Sequence, residues 1–382
     1  MKKGCYFIGA SGGVGAVASH FAALGQELAA RGNEVKIISH SADVNGQLRE
    51  QNPATLVWPS PRPTRFADAL FLARLIRRHR PDCLLANFAA VNWMCLVGWF
   101  YRVKHRIAFY HTLSSQLESD GQASHERVKG MSVLRNRKRL VYQTATCIAG
   151  ISQAALLDAR NTYGVPARKC RLWRFSMSDP ARRFHLQPPA DREDLVVCAG
   201  RLYPSKGQDV LISALALGQG PLASSKVEFL GAGPMLDRLR QMAEQKGVAS
   251  RCRFVGEVSP GEVLARMSRA KVTVVPSRHE AFGLVNIESM SVGTPVIASR
   301  VDGIQEIVRD GVDGYLVPPG DPTALSEKLA GVLQDQALRE RLGLNARQHF
   351  LEEYEHTLVV RQQADWLEQL VQSGNQGATH ES

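Results

Sequence analysis

The chain has 382 residues, which at roughly 150 residues per domain favours two domains over one. Hydrophobic residues make up 44% and charged residues 22%, a globular balance that excludes a disordered chain, a collagen-like fibre and a coiled coil. A net charge of +11 and a pI near 9.5 call for an anionic partner or surface.

In chain order, Lys2 and Lys3 precede no long apolar run or cleavage site, so the start reads as a first strand and not a signal peptide. That strand is Cys5–Ile8, and the Gly-rich loop Gly9–Gly15 follows it. Val17, Phe21, Leu24 and Leu28 then recur at helical spacing, and Gly32 closes the helix. Val35–Ser39 is the next strand, Phe66–Arg78 a helix and Cys83–Asn87 a strand. The apolar run Val91–Tyr101 falls short of the ~20 residues that span a bilayer. It reads as a buried helix, with a membrane-facing element as the alternative. Ile107–His111 is a strand ending at a histidine. This rhythm of strand, loop and helix specifies a parallel, doubly wound sheet.

Basic residues crowd this half: 27 Lys and Arg against 11 Asp and Glu over residues 1–185, a net +16, against −5 for the rest. They cluster at Arg74, Arg77, Arg78 and Arg80, at Arg102, Lys104 and Arg106, and from Arg127 to Arg139. Interleaved with Trp93, Trp99 and Phe100, they suit anionic headgroups; a plain solvated face is the rival. No nucleic-acid-binding signature accompanies them. The seven cysteines form no CxxC pair, which fits buried free thiols in a reducing, cytoplasmic setting.

A polar, Pro-rich stretch, Leu186–Asp194, separates the halves. The rhythm then repeats. Strands are expected at Leu195–Ala199, Val227–Leu230, Arg253–Val255, Val272–Pro276 and Val296–Ser299. Helices are expected at Gln208–Leu217, Met235–Lys246, Pro260–Ser268 and Leu284–Val292. Helical pattern runs from Asp321 to about Gln372, and 373–382 reads as a disordered tail. The fold class is therefore α/β, with two Rossmann-like domains whose sheets bind ligands at the carboxyl ends of their strands and face a common cleft.

The chemistry-bearing pieces lie in the second half: GRLYPSKG (200–207), GAGP (231–234), PSRHEAFGLVNIE (276–288), GTPVIA (293–298), DGIQEIV (302–308) and DGYLVP (313–318). Arg201 and Lys206 follow a buried strand, where a planar fork and a point charge suit a diphosphate. Taken alone they are two surface cations. Glu280 lies in the loop before a helix and Glu288 within that helix, and the turn between them offers backbone amides to phosphate or sugar oxygen. A lone E-x7-E is more often a capping and a surface glutamate. Gly9–Gly15 does not fit G-x-G-x-x-G in register, against a dinucleotide fingerprint.

Together these pieces resemble the donor-binding domain of the retaining glycosyltransferases of family 4, the group 1 transferases with the GT-B fold. ESMS at 288–291 stands where the family commonly reads EAMA. The resemblance implies that Arg201 and Lys206 neutralise the departing nucleoside diphosphate and that Glu280 contacts the donor sugar. Phe282, Gly283 and Leu284 would present amides, and Glu288 would hold the ribose. Gly231 would border the donor, and Val258, in RFVGEV, would line the nucleobase pocket. Gly12 and Gly13 would let backbone approach phosphates or acceptor, and His111 would point into the cleft. The implied domains are 1–187, with helix 355–372 crossing back to it, and 188–354. The implied activity is transfer of a hexosyl-type unit from a UDP- or GDP-linked donor to a glycan or lipid-linked acceptor, with retention and in polysaccharide or glycolipid synthesis. No D-x-D motif or His cluster calls for a metal, and no cofactor is expected. The rivals are a nucleotide-sugar epimerase or hydrolase of the same fold, a non-catalytic anionic-surface binder and a nicotinamide-dependent dehydrogenase.

Overall fold

The computed structural model describes residues 3–9, 15–40, 53–123, 131–183, 185–218 and 220–376. They form two compact units. One takes the described residues up to His111, those from Met131 to Met177, and those from His356 onward; the other takes Thr112–Ala123 and the described part of Ser178–Glu355. The passage between units at Met177/Ser178 lies upstream of the boundary expected at 187/188.

The first unit is built on a parallel sheet of β1 (Cys5–Gly9), β2 (Glu34–Ser39), β3 (Ala54–Val57), β4 (Cys83–Ala86), β5 (His105–Tyr110), β6 (Cys147–Gly150) and β7 (Cys170–Leu172). Its order is β3-β2-β1-β4-β5-β6-β7. Every residue of β1 and β4 is buried, as parallel strands covered on both faces must be. Its helices are α1 (Ala16–Ala30), α2 (Phe66–His79), α3 (Ala90–Phe100), α5 (Met131–Thr144), α6 (Gln153–Tyr163) and α13 (His356–Gln376), while α4 (Ser114–Ala123) belongs to the second unit. On α1, Phe21, Leu24 and Leu28 turn inward as their spacing predicts. The last helix lies along α1. Trp366 meets Trp173 edge-on at 5.4 Å, beneath the Arg171 guanidinium at 4.0 Å. This helix continues to Gln376, so Ser373–Gln376 is helical where a disordered tail was expected; the rest of that tail lies outside the described residues. The run Val91–Tyr101 is only partly the expected buried helix: Met94 and Cys95 are enclosed, but Trp99 and Phe100 are 58% and 72% exposed.

The second unit repeats the plan with β8 (Glu193–Ala199), β9 (Lys226–Leu230), β10 (Cys252–Gly256), β11 (Ala270–Val275), β12 (Val296–Ser299) and β13 (Gly314–Val317). They are arranged β10-β9-β8-β11-β12-β13, with each neighbouring pair parallel. Around them lie α7 (Gln208–Leu217), α8 (Leu236–Gln245), α9 (Pro260–Arg269), α10 (Leu284–Ser291), α11 (Pro322–Gln334) and α12 (Gln336–Glu353). Ser259 and Asp321 cap α9 and α11 with side-chain oxygens, each followed by a proline at the first helical position, where its missing N–H is harmless. The core joins Val196 and Cys198 of β8 and Val272 and Val274 of β11 to Leu211 and Leu215 of α7 and Leu325 and Leu329 of α11. In both units the strand order reverses beside the first strand, and such a reversal opens a ligand crevice at the strands' carboxyl ends. In the second unit the reversal lies between β8 and β11, so the loops starting at Gly200 and Pro276 border it.

All seven cysteines are free. Burial pushes the thiols of Cys95 and Cys198 up to about 12, which removes them as nucleophiles at neutral pH.

Candidate active site

The loop after β8 is shaped by close backbone approaches. Gly231 has φ +130°, and a Cβ there would lie 2.2 Å from the Gly200 carbonyl oxygen. The Leu202 amide donates to the Ala232 carbonyl at 2.9 Å, so the GAGP turn is a shelf for the segment carrying Arg201. The Gly231 N–H donates to the Gly256 carbonyl at 2.8 Å. A short 3-10 turn, Pro204–Lys206, follows. Gly207 then adopts φ +66°, with its α-carbon so near the Pro276 carbonyl that a Cβ would stand 2.0 Å from that oxygen. Only glycine fits both demands, and the contact draws the loops after β8 and β11 together. Arg278 fastens them: its N–H donates to the Ser205 carbonyl at 2.7 Å, and its guanidinium grips Asp209 with two bonds of 2.7 Å.

The outcome is an ion pair between Lys206 Nζ and Glu280 Oε2, with side chains only 15% and 13% exposed. Thus two of the residues singled out in the sequence meet. Arg201 takes another course. It is 59% exposed, lies over the Tyr203 ring at 4.7 Å and stands 3.7 Å from Asp120 of α4. The other Asp120 oxygen accepts the Ser205 N–H at 3.2 Å. Asp120 was missed because no local motif marks it; only the packing of α4 on the 204–206 turn brings it here.

Helix α10 begins at Gly283, whose φ of +97° turns the chain into the helix. Asn286 braces that turn: its backbone and side-chain amides both donate to the Gly283 carbonyl, at 2.9 and 3.0 Å. The amides of Gly283 and Leu284 precede any carbonyl the helix can offer them. Phe282 turns its ring into the core, edge-on to Tyr354 at 6.4 Å, so any ligand contact falls to its backbone. Val258 is half-buried against the cluster of Leu195, Val197 and Leu230.

Glu288 is half-buried one turn into α10, and among the described residues its carboxylate has no hydrogen-bond or ion-pair partner. Burial alone pushes its pKa from 4.5 to about 7. The sign follows from linkage: a native carboxyl that holds its proton longer than the unfolded one contributes stability below pH 4.5 that is lost as pH rises through about 7. Glu288→Gln should therefore melt above the wild type at pH 8, and the gap should close by pH 4.5; thermal melts across that range read it. An equal gap at both ends would contradict the assignment.

In the first unit, His111 follows β5. Asn87 Nδ2 donates to the Gly9 carbonyl at 3.1 Å, which leaves Asn87 Oδ1 facing His111 Nε2 at 2.9 Å. Nε2 therefore carries the proton, and Nδ1 is a bare acceptor without a protein partner among the described residues. Burial pushes the His111 pKa down to about 3, so the ring is neutral. Phe88 stacks on it at 4.3 Å from a left-handed backbone, φ +47°, a strained state for a bulky residue. Neither Asn87 nor Phe88 was singled out in the sequence. Gly12 and Gly13 lie outside the described residues.

Comparison with known proteins fits this geometry. Residues 182–349 match the family model of glycosyl transferases group 1, and residues 14–174 that of glycosyltransferase family 4. A D-inositol 3-phosphate glycosyltransferase of Corynebacterium glutamicum is 32% identical over 282 residues, 66% of this chain and 65% of the relative. An uncharacterized glycosyltransferase of Methanocaldococcus jannaschii is 34% identical over 173 residues, 45% of this chain and 44% of the relative. The chain thus spans less than two thirds of the length of these relatives. Among solved structures, a sucrose-phosphate synthase from Thermosynechococcus elongatus superposes with TM-score 0.75 at 23% identity, covering 97% of this chain and 100% of that one. Anabaena HepE in complex with UDP-glucose gives 0.73 at 18% identity, covering 96% and 99%. These two likenesses establish the fold.

Proposed function

This chain belongs to the glycosyl transferases of group 1, family 4, and from that premise we propose that it moves a sugar from a nucleoside-diphosphate donor to a hydroxyl of a glycan or lipid-linked acceptor, retaining the anomeric configuration. The observation that carries the reading is the Lys206–Glu280 pair on the crevice edge of the second unit, with the first-turn amides of α10 beside it. The UDP-glucose complex of a protein of the same fold supports a UDP-linked donor; GDP is the alternative base.

In this reading the second unit holds the donor. A lysine ammonium has three donors, so Lys206 can keep Glu280 and still meet the leaving diphosphate. Arg201, exposed on its shelf, exchanges Asp120 for phosphate oxygens. These cations and the α10 amides stabilise charge as the bond from C1 to the leaving oxygen breaks, with no divalent metal in the step. Glu280 faces the sugar and the Glu288 carboxyl oxygens accept from the ribose hydroxyls. In the first unit His111, neutral, accepts from a ligand hydroxyl at Nδ1. A thermal-shift panel of UDP, GDP, ADP and their sugars, with NAD(P)H as control, tests the reading. Stabilisation by NAD(P)H alone would overturn it. Acceptor-independent formation of an epimerised sugar would move the protein to the epimerase class.

We further infer that the acceptor is carried on an anionic membrane in the cytoplasm, which places the enzyme in glycolipid or polysaccharide synthesis. Among the described residues no helix is long and apolar enough to cross a membrane, so the association proposed is peripheral. It rests on α2 and α3, which pack together. Phe66 and Leu70 lie exposed on α2 in line with Arg74 and Arg77, and Trp99 and Phe100 lie exposed at the end of α3 ahead of Arg102 and Lys104. The full chain should sediment with phosphatidylglycerol vesicles at low salt and leave them as salt rises past the level where the screening length falls below about 8 Å. Failure to sediment at low salt would exclude the membrane.

A further inference from the structure

We propose that Asp302 is a positioning residue that fixes Glu280 for the reaction; the inference rests on the transferase reading of Glu280 and extends it to a residue outside the E-x7-E pair. Glu280 sits in a loop, and its carboxylate is useful only if its main chain is held. Both backbone polar groups of Glu280 are bonded by a single dipeptide after β12. The Glu280 N–H donates to Asp302 Oδ2 at 3.3 Å, and the Glu280 carbonyl accepts the Gly303 N–H at 3.0 Å. The clasp is tight: a Cβ on Gly303 would lie 2.2 Å from the Ala281 carbonyl oxygen. The same Asp302 oxygen stands 3.9 Å from His279 Nδ1, so the carboxylate reaches both residues at the head of the loop.

The backbone of Asp302 shows that this arrangement is held against a local preference. Its φ is +34°, one of four non-glycine residues with positive φ among those described. Glycine is the residue such a conformation favours; aspartate and asparagine tolerate it better than other side chains but still less freely than glycine. An aspartate in a glycine conformation, with its carboxylate bonded to the amide of Glu280, separates two demands. The backbone turn asks for glycine; the hold on Glu280 asks for an acceptor. Asp302→Gly satisfies the first alone, Asp302→Asn keeps an acceptor at the same reach, and Asp302→Ala satisfies neither. The three therefore distinguish positioning from folding.

The test uses the full chain and two readouts. Amide hydrogen exchange of the peptide spanning Arg278–Leu284 reports on the loop without reference to activity. Steady-state release of UDP from UDP-glucose, or of GDP from GDP-mannose, reports on the chemistry. In Asp302→Gly the melting temperature should equal or exceed that of the wild type, exchange in the loop should rise about tenfold, and kcat should fall about tenfold with KM within twofold. Asp302→Ala should show the same exchange and kcat losses at a lower melting temperature. Asp302→Asn should recover most of both. Unchanged loop exchange in Asp302→Gly, or unchanged kcat with faster exchange, overturns the proposal. Lys206→Ala, run beside them, separates the two ideas. If it loses turnover while Asp302→Gly does not, the positioning role falls alone. If Lys206→Ala turns over like the wild type, the transferase site itself is misassigned.

Discussion

Lys206→Ala should lower kcat by about a thousandfold while the chain stays folded, because it removes a charge aimed at the leaving group and strands its partner. Loss of one such electrostatic donor costs about 10²–10³ in rate. Here the Glu280 carboxylate, 13% exposed, is also left without its cation, and a buried charge without its partner is costly. The fold does not depend on this pair. The 200–207 loop is held by Gly207 against Pro276 and by Arg278 to Asp209, neither of which the substitution touches. Released nucleoside diphosphate measures the rate and circular dichroism the fold. Wild-type turnover in a folded Lys206→Ala chain would remove the site from the second unit altogether.

Glu280→Ala should fall nearly as far, by about a hundredfold or more, and for a partly different reason. The substitution frees Lys206 to bind the diphosphate more tightly in the ground state, so nucleotide affinity should rise as turnover drops. Donor KM and kcat should therefore both decrease. Because the two side chains act through one contact, the double variant should lose much less than the product of the single losses. A loss confined to KM would place Glu280 in binding and not beside the reacting carbon.

The segments that could be read from the sequence are those in which one stretch of chain carries its own physical reason. The alternation of buried strands with helices marked Gln208–Leu217 and Val296–Ser299 to the residue, since Gly207 and Gly218 bound the helix and Pro295 stands directly before the strand. GRLYPSKG and PSRHEAFGLVNIE marked two loops, and Gly207 explains why they arrive together. What stayed hidden depends on residues far apart in sequence. Asp120 reaches Ser205 across 85 positions, and Asn87 sets the tautomer of His111 across 24; neither has a spacing to betray it. The short edge strands β3 and β7 escaped because four and three residues show too little alternation to register. Phe282 illustrates a different loss: a residue in a functional turn whose side chain serves the core.

The return of the final helix has a consequence for how the chain is made. The second unit has nearly all its strands and helices in one continuous stretch, Ser178–Glu355. The first unit lacks α13 until the whole stretch Ser178–Glu355 has been made, and α13 supplies two acidic partners of Arg31, Asp365 and Glu368, and the Trp366 ring. Domains generally fold as they leave the ribosome, earliest first. Here that order is inverted: the unit begun first is completed after the other. Until α13 arrives, the flank of α1 on which it packs is uncovered, so the basic half is the one that a nascent-chain chaperone would have to shield.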